Sequence, residues 1–311
     1  VGTLTNVVGA ADAPVTSFRM AEVVSALSHA LDLSTGQPVG HSVRSCILGM
    51  RIADEIRLSG ELSNDLYYAL LLKDAGCSGN ASLIFHTINA DDLKAKRDVK
   101  TTDWSRLGWE TLQYALSHVA TGKPFLERVR TLVRLAATQK KHAHNVTKIG
   151  CERGAALARL IGLRETTAEE IGALDEQWKG AGNPTGLKRQ AIPLLSRIML
   201  LAQTRDVFFT ASGPDAAVDV AVQRSGRWFD PDLVQTVRSL NARGLLWAGF
   251  EQSEHFAFAL QLDIQQRRMA AGTQRSTPFV LRSHKALTRS RHSLTTTQTA
   301  SLTRRSRSAR R

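Results

Sequence analysis

Apolar positions recur every three or four residues over most of this chain, and strict apolar–polar alternation is nowhere sustained. In "HSVRSCILGMRIADEI", Val43, Cys46, Ile47, Met50 and Ala53 share one face at helical spacing. "SNDLYYALLLKDAG" predicts a second, strongly apolar helix that contains Asp74 and stops at Gly76, a residue suited to a helix C-terminus. "WETLQYALSHVATGKPFLERVRTLVRLAATQ" predicts two more, parted at Gly122-Lys123-Pro124. In "TTAEEIGALDEQW", Thr167 stands three residues ahead of Glu170, the spacing of a capping box. "FDPDLVQTVRSL" predicts Asp230 as N-cap, Pro231 at the first helical position, and Leu233, Val234, Val237 and Leu240 on one stripe. Together these patterns predict an all-α protein.

One segment breaks the helical pattern. "DEQWKGAGNPTGLKRQAIPLLSRI" carries Gly180, Gly182, Asn183, Pro184 and Gly186, then returns to a proline-led apolar helix. The three glycines predict backbone conformations that a residue with a Cβ adopts only at a cost, so the loop has a defined shape.

Length and composition change the picture at the two ends. A chain of 311 residues can bury a sizeable core. Its apolar share, 42%, is a little below the globular range, which suggests that part of the chain is not core. No apolar run is long enough to span a bilayer, so no membrane partner is expected. The segment before Met20 has Arg19 as its one basic residue and no compact apolar block, so a secretory signal is not expected. Cys46, Cys77 and Cys151 are widely spaced, which argues against a disulfide framework and for a reducing, cytoplasmic setting.

The net charge of +13 sits almost entirely in one place. From Ile264 to Arg311 there are twelve Lys and Arg and no Asp or Glu, which leaves the rest of the chain nearly neutral. This Ser-, Thr- and Arg-rich stretch has no period that could bury a face and is expected to be disordered. It reads as an anionic-surface or nucleic-acid arm, as an inert solvated tail, or as an out-of-frame translation, the last being favoured by the abrupt loss of acidic residues. The expected organisation is an N-terminal extension over 1–19, disordered, a helical domain over 20–262, and the tail over 263–311.

Four features, each weak singly, gain specificity from their order: His41-Ser42 at the head of a helix, Asp74 in an apolar helix, the Gly-rich loop, and "GRWFDPDLV". In this order they resemble the HD-GYP family of metal-dependent phosphohydrolases, which cleave cyclic dinucleotides, chiefly cyclic di-GMP. The resemblance covers roughly Met20 to Leu246. His41, Ser42 and Arg44 match the family's His-Ser-x-Arg-like opening. Leu71 to Cys77 stand where it has Leu-Leu-His-Asp-Ile-Gly-Lys, and Cys151 to Gly154 where it has His-x-x-x-Gly. Leu174 to Leu187 occupy the signature loop, Ile192 to Ile198 the Ile-Pro-Leu-x-Ala-Arg-Ile segment, and Phe229 to Val234 the closing Phe-Asp-Pro-x-Leu-Val. The stretch from Ser78 to Gly150 has no counterpart in compact members. The resemblance implies an HD-type helical bundle and a centre of two or three metal ions that activates a bridging water.

By that resemblance, His41 and Asp74 remain as ligand-type residues. The other ligand positions hold Lys73, Cys151, Leu174, Asp175, Lys179 and Gln203, with Asp206 one turn beyond Gln203. An ammonium has no lone pair for a metal. At about 4 Å it repels a divalent ion by several kcal/mol even at an effective dielectric near 20. The expected function is therefore a degenerate, non-catalytic binding or regulatory module in cyclic-dinucleotide signalling, with no cofactor. Lys73 is expected to pair with Asp74 or Asp175 in place of the metal, and Asp74 is the catalytic remnant. Gly180, Gly182, Asn183, Pro184, Gly186 and Arg197 form the expected ligand loop. The alternative is an active phosphodiesterase using Fe, Mn or Zn, and a salvaged single-metal site would draw on His41, Asp74, Cys151 and Asp175. Expected partners are a cyclic dinucleotide and a second copy or another signalling domain, with nucleic acid only through the tail. His142 and His144 are expected at a solvated helix end, and the five tryptophans in packing.

Overall fold

In the computed structural model, residues 16–35, 37–76, 144–248, 250 and 255–271 are described. The two helices expected around Gly122-Lys123-Pro124, Trp104, Trp109, His142 and residues 272–311 of the tail lie outside the described residues. The described part is helical: α1 (Met20–Thr35), α2 (His41–Glu55), α3 (Gly60–Leu72), α4 (144–160), α5 (Glu165–Gly172), α6 (Leu194–Gln223), α7 (Pro231–Ala242) and α8 (His255–Gln261). A 3₁₀ turn at Arg189–Ala191 precedes α6.

The bundle is built around α2, which contacts α1, α3, α6, α7 and α8. The one-faced pattern expected for α2 understates its burial. Every residue from His41 to Met50 is buried, so the polar side chains on its other faces must find partners inside the protein. They do so locally. Ser42 donates its backbone N and its Oγ to the buried Asp32 of α1, at 3.1 and 2.7 Å, and Ser45 Oγ donates to His41 O. Asp32 thus supplies the acceptor that Gly40, the N-cap of α2, lacks, and puts negative charge where the helix dipole favours it.

Two expectations about helix ends are corrected. The Thr167–Glu170 pair is not a capping box, because α5 begins at Glu165 with Arg164 as N-cap. Thr166 and Thr167 instead donate their hydroxyls to Asp65 of α3, at 2.6 and 3.1 Å. Glu170 accepts from Ser196 N and Ser196 Oγ, both at 2.7 Å, in the first turn of α6. Burial pushes the Glu170 carboxyl up, and its bonds to Ser196 only partly offset that. Gly76 lies in a turn beyond α3 rather than as its left-handed cap; a Cβ there would meet Gly150 O of α4 at 1.8 Å. The expected N-terminus of α7 is found as read, with Asp230 accepting from Asp232 N and the four-residue stripe buried.

α6 is broken by Gly213, at φ 87°, with Pro214 after it. The buried Arg205 joins the two halves by donating Nε to Ala217 O, and its guanidinium lies 5.0 Å from the Trp247 ring centroid. Trp247 stacks on Phe209 with Phe250 edge-on, so this tryptophan serves packing, as expected.

A two-stranded antiparallel ribbon, β1 (Thr16–Arg19) and β2 (Arg268–Ala271), is added to the helices, with Phe18 opposite Met269. Asp263 beside it is buried and accepts from Gln266 N at 3.2 Å and Tyr68 Oη at 3.5 Å. Structured residues therefore extend past both expected boundaries of the 20–262 domain. The all-α class stands, with this ribbon as a small addition.

Candidate functional site

The N-terminus of α2, the turn after α3 and the first half of α6 converge on one buried cluster. His41 is fully buried. Its Nδ1 lies 2.6 Å from Asp206 Oδ2, and its Nε2 lies 3.7 Å from Asp74 Oδ2. Lys73 Nζ is paired with Asp74. Arg44 Nε donates to Asp206 Oδ1 at 2.6 Å and its Nη2 to Asp206 Oδ2 at 3.2 Å, while Nη1 bonds Val39 O. The cluster thus sets the Asp74 and Asp206 carboxylates between an ammonium, an imidazole and a guanidinium, so that each buried carboxylate faces a cation, which is how charged groups tolerate removal from water. Burial pushes the Asp206 carboxyl up, but the His41 ring and the Arg44 guanidinium together outweigh it and hold the group below the usual carboxylate range.

Of the residues expected at the site, His41, Lys73 and Asp74 come together. Asp74 stands in the turn beyond α3, not inside the helix. Asp206 and Arg44 join them; the sequence reading places Arg44 in the opening motif and Asp206 one turn beyond Gln203 but assigns neither to the site. The signal for Asp206 was its place one turn beyond Gln203 on the same face of α6. Gln203 is buried, and its Oε1 has no hydrogen-bond partner among the described residues. Cys151 is buried in α4, Leu174 is in the core, and Lys179 is exposed. Among the described residues, no group of three or more His, Cys, Asp and Glu side chains is disposed to hold a metal ion.

The Gly-rich loop follows α5 and leads into α6. Gly180 and Gly186 have φ of 83° and 73°, conformations that favour glycine. Gly182 is required for a different reason: a Cβ there would lie 2.3 Å from Gln177 N and 2.5 Å from Asp175 O. The Asn183–Pro184 bond is cis. The loop is joined to the turn before α7 by Trp178 N to Trp228 O and Lys179 N to Arg227 O, at 3.0 and 2.9 Å. Arg197 reaches Asp230 Oδ2 at 2.5 Å, with its guanidinium 5.8 Å from the Trp178 ring centroid. His144, half-buried at the first described residue of α4, contacts this loop, its Nδ1 3.2 Å from Asn183 Oδ1.

These features match known proteins. Residues 150–233 match a family model described as an HD domain. Over 224 residues the chain is 38% identical to 3'3'-cGAMP-specific phosphodiesterase 3 of Vibrio cholerae serotype O1, an alignment spanning 72% of this chain and 48% of that protein. This chain belongs to the HD-GYP/HD-domain family. A crystal structure of a cyclic GMP-AMP-specific phosphodiesterase from V. cholerae superposes with this chain at a TM-score of 0.65 and 29% identity, covering 88% of this chain and 61% of that one. A cyclic di-GMP phosphodiesterase of the same organism is 35% identical over 97 residues, 28% of this chain and 20% of that protein. The chain spans about half the length of the first of these relatives. Its relatives act on cyclic dinucleotides, and the family is typically metal-dependent. No helix among the described residues is long and apolar enough to cross a membrane.

Proposed function

We propose that this HD domain is a non-catalytic binding or regulatory module in cyclic-dinucleotide signalling. One observation carries the reading: Lys73 pairs its ammonium with Asp74, the carboxylate that by family resemblance would hold metal, while the ring nitrogens of His41 face Asp74 and Asp206. A metal ion would have to displace an ammonium that has no lone pair to give it, and would meet that positive charge at close range. Cys151, Leu174, Lys179 and Gln203 leave the family's ligand set short as well. The donor chemistry of these residues does not fit a multi-metal centre. The loop is retained with its glycines and its internal bonds, which supports a role in binding a cyclic dinucleotide or a second signalling domain rather than in hydrolysis.

The purified protein should contain no stoichiometric Mn, Fe or Zn and should hydrolyse neither cyclic di-GMP nor 3'3'-cGAMP. Lys73→His alone should not create activity, because Cys151, Leu174, Lys179 and Gln203 still leave the ligand set short. Metal-dependent turnover by the unmodified protein, abolished by His41→Ala or Asp74→Ala, would establish the alternative of an active phosphodiesterase.

A further inference from the structure

The Gly-rich loop is closed from within by a side chain that has no part in the His41–Asp74–Asp206 cluster. Glu176 is 1% exposed. Its Oε1 accepts three hydrogen bonds, from Thr185 N at 2.6 Å, Thr185 Oγ1 at 2.7 Å and Gly186 N at 3.0 Å. Its Oε2 has no donor among the described residues. The two arms of the loop meet again where Asn183 N donates to Asp175 O at 3.1 Å, and Gly182 lies too close to residues 175–177 to carry a Cβ. Every one of these contacts is made by the chain itself. Bonds to an ionised carboxylate are the strong ones, and a buried carboxylate is tolerated where it is bonded in this way.

We infer that Glu176 is a positioning residue that sets the loop in its folded form without a metal ion. It follows, on the reading above that the module binds a cyclic dinucleotide, that such binding is independent of divalent metal. Glu176 draws the 185–186 arm onto the 175–177 arm, and so fixes where Asn183 and Lys179 stand relative to Trp178 and Arg197. A carboxamide has the same shape and keeps an acceptor for the three donors. Its amide nitrogen would replace the oxygen that has no donor, so Glu176→Gln should preserve most of the effect and Glu176→Ala should not.

The test is the rate of tryptic cleavage after the exposed Lys179, with cleavage after the exposed Arg164, before α5, gauging opening elsewhere in the domain. Glu176→Ala should raise the Lys179 rate at least about tenfold relative to the Arg164 rate, and Glu176→Gln should stay within about threefold of the unmodified protein. Should Glu176→Ala fail to fold, Thr185→Ala removes one donor at an exposed position and must still raise the Lys179 rate selectively. Unchanged Lys179 rates, or a parallel rise after Arg164, would overturn the positioning role. Titration with 3'3'-cGAMP and with cyclic di-GMP, with and without EDTA, should give equal affinities; affinity lost in EDTA would overturn the metal independence. Binding of neither nucleotide in either buffer would remove the proposed function and the metal clause with it, while the cleavage rates would still decide the role of Glu176.

Discussion

Asp206 holds both the His41 ring and the Arg44 guanidinium, and all three lie inside the protein. Replacing it by Asn would leave a buried guanidinium without its carboxylate. Asp206→Asn should therefore cost about 3–5 kcal/mol of stability, measured by denaturant titration, as breaking a buried pair does. The pH dependence has a definite sign. Because the folded carboxyl lies below its ordinary value, its contribution is complete above the unfolded aspartate value of about 3.9. It is lost as pH falls from there through the lower folded value. Unmodified protein should thus lose stability on acidification below about pH 4 more steeply than Asp206→Asn; equal acid slopes would show that the carboxylate is not held this way. At this scale the sequence was legible in part. His41, Lys73 and Asp74 could be named from their motifs. Asp206 was passed over because its family position belonged to Gln203, and only the facing of α6 against α2 decides which of two residues one turn apart meets the histidine.

The elements show how helix ends are satisfied by residues from other elements. Asp32 of α1 serves α2, Asp65 of α3 serves α5, and Glu170 of α5 serves α6. Such partners lie 10 to 101 residues apart along the chain, beyond any local capping pattern, so a capping box at Thr167–Glu170 was a reasonable local expectation and the wrong one. The loop before α6 follows the same logic. Its need for glycine was legible, but the reason at Gly182 is close approach of backbone rather than a left-handed conformation. Gly182→Val should lower the melting temperature, by an amount corresponding to about 2 kcal/mol or more, since backbone atoms of residues 175–177 cannot move aside as a flexible side chain can. An unchanged melting curve would mean that the loop yields freely and that its shape is not enforced. By contrast, the bend in α6 could have been foreseen from Ser212-Gly213-Pro214, where proline and glycine together break a helix.

For the whole molecule, the ribbon of β1 and β2 joins segments some 250 residues apart, and Asp263 ties the returning chain to Tyr68 of α3. A chain ended at Ala271 should therefore melt as the full chain does. One ended at Leu262 should lose about 1–3 kcal/mol, because Tyr68 and β1 lose their partners; identical melting of the two would show that the ribbon adds nothing to the folded unit. The sequence by itself determined the helical class and the α7 start, which depend on local period and local caps, and the order of His41, Asp74 and the Gly-rich loop that carries the family resemblance. Only the tertiary structure decided that α2 is buried on every side, that Asp206 completes the charge cluster, that His144 reaches the loop and that the strands pair. Each of these depends on which faces of distant elements meet, and a repeat of 3.6 residues fixes the faces of one helix without saying what lies opposite them.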